Sequence, residues 1–145
     1  MGWDVMILNS QDTSSISKVD TSSLPSFGQR QKVIDKLNEL FPLLEWDNDL
    51  AYGHLENEDY FGNIGLGEDE IMSGHFWLAI YGGSDPLKLI MTLCNEFNCS
   101  AFDTVTSEYI IVDNPSEKGW QQFQNFRNIV SENVAKRDND KSATK

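Results

Sequence analysis

The most reactive side chains in this sequence are two histidines and two cysteines. His54 and His75 each occur in a stretch that predicts a β-strand, not in a loop at a helix terminus. They are not accompanied by a G-x-S-x-G, H-E-x-x-H or catalytic-cysteine signature. Cys94 and Cys99 have neither the C-x-x-C spacing of redox proteins nor the spacing of zinc ligands, so we expect ordinary reduced thiols. The sequence therefore predicts no catalytic residue, and we expect that the protein is not an enzyme.

Two kinds of loop in the sequence have the composition of ion-binding motifs. The run Gly82-Gly83-Ser84-Asp85-Pro86 lacks the lysine of the G-x-x-x-x-G-K-[ST] phosphate loop, and we interpret it as a sharp strand-to-helix turn. The acidic turns at 47–49 and 67–70 offer carboxylates, which hard cations prefer, but neither matches the D-x-D-x-D-G-x5-E calcium loop. We therefore expect no metal ion and no cofactor.

The charge of the chain is strongly negative and unevenly distributed. The 145 residues include 23 acidic and 11 basic side chains, which gives a net charge of -12. This balance argues against binding to nucleic acid or to an anionic membrane, and it favours a cationic protein partner. Between residues 37 and 87 there are eleven Asp and Glu residues and no Lys or Arg. If this segment forms adjacent strands and turns, we expect a continuous negative surface that steers basic partners.

Alternation along the stretch at 72–81 separates two sets of side chains on opposite faces of a strand. The apolar set is Phe76, Leu78 and Ile80, and the aromatic, water-tolerant set is His75, Trp77, Ala79 and Tyr81. In the neighbouring strand candidate, Tyr52, His54 and Glu56 alternate in the same way. Aromatic centres with a polar rim are typical of protein-binding hot spots. The alternative left open is that a C-terminal helix buries its own apolar stripe on this face.

These two patterns together predict a partner-binding surface with an acidic rim and an aromatic centre. Carboxylates on the rim would steer the partner, and aromatic side chains would be desolvated at the centre. The predicted rim residues are Asp47, Asp49, Glu56, Glu58, Asp59, Glu68, Asp69 and Glu70. The predicted central residues are Tyr52, His75, Trp77 and Tyr81.

The elements that must position these residues are short and alternate between strand and helix. Strands are expected at 3–8, 51–56, 60–66, 72–81 and within 101–112, and helices at about 28–40, 86–97 and 116–137. Ser26 and Gln29 have capping-box spacing before the first helix, and Asp85 can cap the second. The predicted fold class is α+β: a largely antiparallel sheet of about five strands, ordered β-α-β-β-β-α-β, with two helices on one face plus a C-terminal helix. We expect one domain at 1–137 and a disordered polar tail at 138–145.

Hydropathy predicts a cytoplasmic protein. The longest apolar run, at 76–81, is far shorter than the roughly 20 residues that a membrane-spanning helix needs. The N-terminal stretch has no basic region ahead of its apolar residues, and Asp4 interrupts it, so it does not resemble a signal peptide.

Several short motifs resemble a group of small bacterial proteins, some of which are immunity proteins of polymorphic or contact-dependent toxin systems. The motifs are Trp3-Asp4-Val5, Leu40-Phe41-Pro42, the run at 82–86, Leu93-Cys94, Phe102-Asp103 and Ser107-Glu108-Tyr109. The similarity covers about residues 3 to 113, and it departs from the group at Ser84, where a third glycine is usual. The resemblance implies an immunity protein, an antitoxin of contact-dependent growth inhibition, and it transfers no catalytic residue.

Charge and resemblance lead to the same functional hypothesis. We expect a cytoplasmic immunity protein that binds and neutralises a cognate basic toxin domain, such as a nuclease, because nucleases need basic surfaces for phosphates. The alternative is a small-molecule-binding or regulatory module, in which the aromatic sheet face and the Gly82-Gly83 turn line a pocket.

Overall fold

The computed structural model describes residues 2–10, 24–110 and 121, and it has an α+β architecture in which antiparallel pairing predominates. The strands are β1 (Trp3–Leu8), β2 (Gly28–Gln29), β3 (Glu45–Trp46), β4 (Tyr52–Glu56), β5 (Phe61–Gly65), β6 (Ile71–Met72), β7 (His75–Gly82), β8 (Ser100–Asp103) and β9 (Glu108–Ile110). The helices are α1 (Arg30–Leu40) and α2 (Pro86–Phe97). Seven strands form one sheet in the order β3-β4-β5-β7-β1-β8-β9, and β2 pairs with β6 in a second, two-stranded sheet.

The strand β1 lies inside the large sheet, with β7 on one side and β8 on the other. Trp3 is paired with Ile80, and Val5 with both Leu78 and Asp103. The three β1 residues at odd positions are buried completely, because they face the helices. A strand with neighbours on both sides is expected to be apolar, which explains the composition of the first eight residues.

Both helices cover the same face of the sheet, as predicted. The buried helical residues join the inward side chains of β1, β5 and β7 in one hydrophobic core. They are Val33, Ile34 and Leu37 of α1, and Leu87, Leu89, Ile90, Leu93 and Cys94 of α2. Lys36 connects the two helices, because its ammonium group donates to the backbone oxygen of Glu96 and lies 4.6 Å from the centre of the Phe97 ring.

The expectation of about five strands was too low. The region at 101–112, expected to be one strand, contains β8 and β9 joined by a turn in which Ser107 has a φ of 56°. The two-residue strands β2, β3 and β6 were also missed, because segments this short have no detectable alternation.

The start of α1 differs from the predicted capping box. Gly28 and Gln29 pair with Met72 and Ile71, which holds them extended, and the helix begins only at Arg30. The Ser26 hydroxyl accepts from the backbone N–H of Gly28 and donates to the backbone oxygen of Met72. Asp85 precedes α2 at the N-cap position, but its side chain makes no capping hydrogen bond there.

Apart from residue 121, the expected helix at 116–137 lies outside the described residues, and so does the expected tail at 138–145. In the part of the chain that is described, no helix has the length and apolarity to cross a membrane. Cys94 and Cys99 are buried free thiols. The hydrogen bond between them raises the pKa of Cys99, as does burial, and lowers the pKa of Cys94.

Candidate interaction face

The candidate site is the face of the seven-stranded sheet opposite α1 and α2, which we call the open face. On β4, β5 and β7 its side chains form three rows of three, which we call the patch. The patch consists of Tyr52, His54 and Glu56 on β4, Phe61, Asn63 and Gly65 on β5, and Trp77, Ala79 and Tyr81 on β7. Strand alternation produces this arrangement, because the intervening residues face the core.

The first row of the patch is aromatic and exposed. Tyr52 is paired with Gly65, which is paired with Trp77. Tyr52 is 59% exposed and Trp77 is 41% exposed. A Cβ atom at Gly65 would lie 3.2 Å from Cε1 of Tyr52, so the tyrosine ring occupies the space above the glycine. His75 lies beside this row, two residues before Trp77 on β7, with its ring 6.4 Å from that of Trp77 in an edge-to-face arrangement.

The second row holds a hydrogen-bonded network centred on Asn63. The Asn63 amide nitrogen donates to the Tyr81 hydroxyl at 3.3 Å. The Asn63 Oδ1 atom lies 2.9 Å from Nδ1 of His54, which therefore donates to it. The other ring nitrogen of His54 is 3.5 Å from a carboxylate oxygen of Glu56. The network contains no serine, threonine or cysteine to act as a nucleophile; it orients the patch side chains.

The third row contains a β-bulge, where the register shifts between Phe61 and Gly62. Glu56 is paired with Phe61, which is paired with Gly82. A Cβ atom at Gly82 would lie 2.7 Å from Cζ of Phe61, so this ring also covers a glycine. The Phe61 and Tyr81 rings are stacked, with centres 6.4 Å apart and an angle of 29° between their planes.

The Lys and Arg residues of the described part of the chain lie on one side of the sheet. Within residues 2–10 and 24–110 they all belong to the helices; they are Arg30, Lys32, Lys36 and Lys88. The second row of the patch ends in a carboxylate on both sides, since Glu45 is paired with His54 and Asp4 with Ala79. Burial raises the pKa of Asp4, and the positive N-terminus opposes this shift. The open face therefore carries carboxylates and no described Lys or Arg.

The predicted acidic rim is divided between the two ends of the sheet. The turn at 47–50 and the loop at 66–70 lie at one end, connected by a 2.8 Å hydrogen bond from the Leu66 N–H to the Ala51 carbonyl. This end carries Asp47, Asp49, Glu68, Asp69 and Glu70. Glu58 and Asp59 lie at the other end of the five-residue strands β4 and β5, about 17 Å away. The continuous negative surface expected from the sequence is therefore two acidic ends with the patch between them.

Besides Glu56, which lies next to His54, two of the predicted rim carboxylates have partners within the protein. Asp47 accepts hydrogen bonds from the backbone N–H groups of Ala51 and Tyr52, at 2.9 and 3.2 Å, and so closes its own turn. Asp59 forms an ion pair with Lys88 at 2.7 Å, and the hydrogen bond and charge of this lysine lower the pKa of Asp59. The carboxylates of Asp49, Glu58 and the 68–70 loop belong to exposed residues.

Of the four predicted central residues, the structure brings Tyr52, Trp77 and Tyr81 into the patch and places His75 at its border. The patch also includes Glu56, which was predicted to lie on the rim. Residues that the prediction omitted are His54, Phe61 and Asn63. Alternation in β4 already placed His54 on this face, whereas the bulge at Phe61 and the contacts of Asn63 depend on strand register.

The open face continues beyond the patch onto β1, β8 and β9, where its side chains are less exposed. Met6 is paired with Trp77 and Phe102, and Phe102 with Tyr109. Met6, Phe102 and Tyr109 are half-buried, and the Phe102 and Tyr109 rings are 5.4 Å apart. Leu8 and Ser100 on the same side of these strands are 1% and 4% exposed. Exposed aromatic surface is thus concentrated on β4, β5 and β7.

The concave sites among the described residues are shallow, and one of about 190 Å³ has mainly apolar lining residues, among them Phe41, Leu55 and Tyr60. One depression of about 260 Å³ is lined by Leu43, Glu45, His54 and Glu56 at the border of the patch. Another, of about 310 Å³, is lined by Gln29, Arg30, Gln31, Glu70 and Ile71. Small-molecule sites are usually enclosed and largely apolar. The Gly82-Gly83 turn packs against the backbone of Asp59 and Tyr60, and the small-molecule alternative remains a prediction.

We compared the chain with protein-family models, curated proteins and solved structures, and none of them matches it. Within residues 2–10 and 24–110, no group of three or more His, Cys, Asp or Glu side chains is placed to hold a metal ion.

Proposed function

We propose that this protein is an immunity protein that binds a cationic toxin domain with the open face of its sheet and so neutralises it. The observation that carries the proposal is the exposed aromatic patch on a sheet side that has carboxylates and no described Lys or Arg. The motifs that resemble bacterial immunity proteins support it as well. Under this proposal the protein acts in the cytoplasm, where its toxin would act.

The patch has the composition of an interface centre. Trp and Tyr are enriched among residues that dominate binding energy. Tyr52 and Trp77 lie in one row of the patch, on either side of Gly65, and a large part of each side chain is exposed. The network through Asn63 holds His54 and Tyr81 in place before a partner arrives. A surface that is ordered in the free protein loses less side-chain entropy on binding.

The acidic ends of the sheet supply the electrostatic part of recognition. A nuclease domain presents Lys and Arg to the phosphates of its substrate, and an inhibitor with carboxylates can cover that same surface. Because the carboxylates at 68–70 are exposed, they act mainly on the rate of association. The aromatic patch then determines the lifetime of the complex.

Co-expression with the product of the adjacent upstream gene tests the proposal. The expected result is that the two proteins co-purify, and that this chain suppresses the toxicity of the other protein. Trp77→Ala should weaken the complex, whereas Ile71→Ala, which removes an apolar side chain 60% exposed on the small sheet, should leave it intact. If the gene product is neither toxic nor bound, the proposal is wrong, and a metabolite that raises the melting temperature would instead support the small-molecule alternative.

A further inference from the structure

Two exposed aromatic rings of the patch rest on glycines of the neighbouring strand. Tyr52 covers Gly65 and Phe61 covers Gly82, and a Cβ atom at either glycine would approach ring carbons at 3.2 and 2.7 Å. Each ring therefore contacts backbone on one side, and Phe61 also stacks with Tyr81. Part of each ring remains open to solvent, because Tyr52 is 59% exposed and Phe61 is 37% exposed. The face of an aromatic ring carries negative electrostatic potential and attracts cations.

We propose that the Tyr52 and Phe61 rings are stacking platforms for guanidinium groups, so that the patch recognises arginine side chains of its cationic partner in preference to lysine. This inference rests on the proposed function and names the partner chemistry that the patch selects. Its occupant is an arginine-bearing segment of the partner, and charge complementarity supports it. Glu56 belongs to the patch, Glu45 lies next to it, and no Lys or Arg is described on this side of the sheet.

The geometry around Phe61 favours guanidinium over ammonium. Glu56 is directly opposite Phe61 in the β4–β5 register, so their Cβ atoms are about 5 Å apart. A planar guanidinium can lie on the ring and direct its N–H groups sideways to the carboxylate at the same time. A lysine ammonium is a compact, strongly hydrated charge, and it gains less from contact with a ring face.

The two platforms also define a spacing. Gly65, which lies beneath Tyr52, is four residues from Phe61 along β5, which corresponds to about 13 Å. An extended segment reaches across this distance with two arginines four residues apart. The His54 and Asn63 side chains lie between the platforms and offer polar groups to the backbone or side chains of such a segment.

Nona-arginine and nona-lysine peptides are suitable probes, because they carry equal charge and the extended arginine peptide contains the required spacing. We expect tighter binding of nona-arginine to the wild type in an NMR titration at low ionic strength, with the largest shifts at Gly65 and Gly82. Each platform should contribute about threefold to the preference. Tyr52→Phe keeps the ring and should keep the preference, whereas Tyr52→Leu with Phe61→Leu, which leaves the net charge unchanged, should remove it.

Equal affinity of the wild type for the two peptides would overturn the inference, and so would a preference that persists in the double leucine variant. In either case the proposed function stands if the upstream gene product still binds. If neither peptide shifts patch signals and the gene product does not bind, both proposals are wrong. Should Phe61→Leu fail to fold, Tyr52→Leu alone decides, with about threefold of the preference lost as the expected result.

Discussion

Trp3 and Trp77 lie on neighbouring strands of the same sheet, yet they have opposite surroundings. Trp3 on β1 faces the helices, is completely buried, and donates its indole N–H to a carboxylate oxygen of Asp103 at 3.0 Å. Trp77 on β7 faces the other way and is 41% exposed. The two environments differ because successive side chains of a strand point to opposite faces of the sheet, and Trp3 and Trp77 occupy positions that point to different faces. One face of the sheet therefore provides stability, and the other is free to provide recognition.

The largest effect in this comparison is expected from Trp3→Ala. The substitution opens a cavity beneath α1 and α2 and leaves the buried Asp103 carboxylate without its indole donor. We expect the free energy of unfolding to fall by about 3 to 5 kcal/mol, measured by urea denaturation. The matched substitution Trp77→Ala should lower it by less than about 1 kcal/mol, because surface changes usually cost little. Equal losses would show that the two faces do not differ in this way.

Trp77→Ala should have its main effect on the complex. If Trp77 is a central contact, dissociation of the partner should accelerate by an amount that corresponds to about 2 kcal/mol or more, with little change in salt dependence. Stopped-flow or surface-based kinetics with the purified partner measures this rate. Unchanged dissociation, combined with an unchanged melting temperature, would exclude Trp77 from the interface.

The acidic loop at 66–70 should act on association. Neutralising Glu68, Asp69 and Glu70 together should slow association severalfold at low salt and flatten its salt dependence, while the fold stays intact because these carboxylates are exposed. As a matched control, a triple variant on the helical side loses the same charge; it replaces Asp35, Glu39 and Glu96. Equal slowing by both variants would mean that net charge, not its position, steers the partner.

The smallest effect is expected from the ion pair between Asp59 and Lys88. Lys88→Met should raise the pKa of Asp59 toward its ordinary value of 3.8, and NMR titration of the carboxylate measures this shift. Because the pKa is lowered in the folded state, the stabilisation is present above 3.8 and is lost as the pH falls through the folded-state pKa. Lys32→Met removes the same charge elsewhere and should leave Asp59 unchanged. Partner binding should be insensitive to both variants.

Periodicity was sufficient to predict the longer elements. The strands at 3–8, 51–56 and 60–66 and the helix at 86–97 all have clear apolar spacing, and the structure contains each of them within one residue at either end. The predicted strand at 72–81 is divided in the structure, because Met72 belongs to β6 of the small sheet and β7 begins only at His75. The edge strand β3 and the β2–β6 pair could not be predicted, because two residues have no periodicity and become extended only by pairing with distant segments. The prediction of a capping box at Ser26 was wrong for the same reason. The pairing of Gly28 with Met72 holds this segment extended, although the local sequence favours the start of a helix.

For the candidate site, the alternation of side chains along each strand predicted which of them share a face, but it did not predict where the loops lie. Tyr52, Trp77 and Tyr81 were identified correctly as neighbours on one face. The separation of the acidic turns depends on strand direction and register, which no short motif encodes. The glycines beneath Tyr52 and Phe61 were missed because a glycine in a strand indicates a close approach without indicating what approaches.

The position of β1 in the sheet also determines when the protein can fold. Among the described strands β1 is made first, yet it lies between β7 and β8, and the Trp3 indole bonds to a residue 100 positions further along the chain. Sheets closed by such distant pairings fold slowly, because the chain must close long loops before any contact rewards it. During synthesis on the ribosome, the apolar strand β1 remains unpaired until β7 has emerged. Its second partner, β8, emerges later still. The patch, which β7 completes, therefore cannot form before β7 has emerged, so a chain truncated ahead of β7 would have no competent binding face.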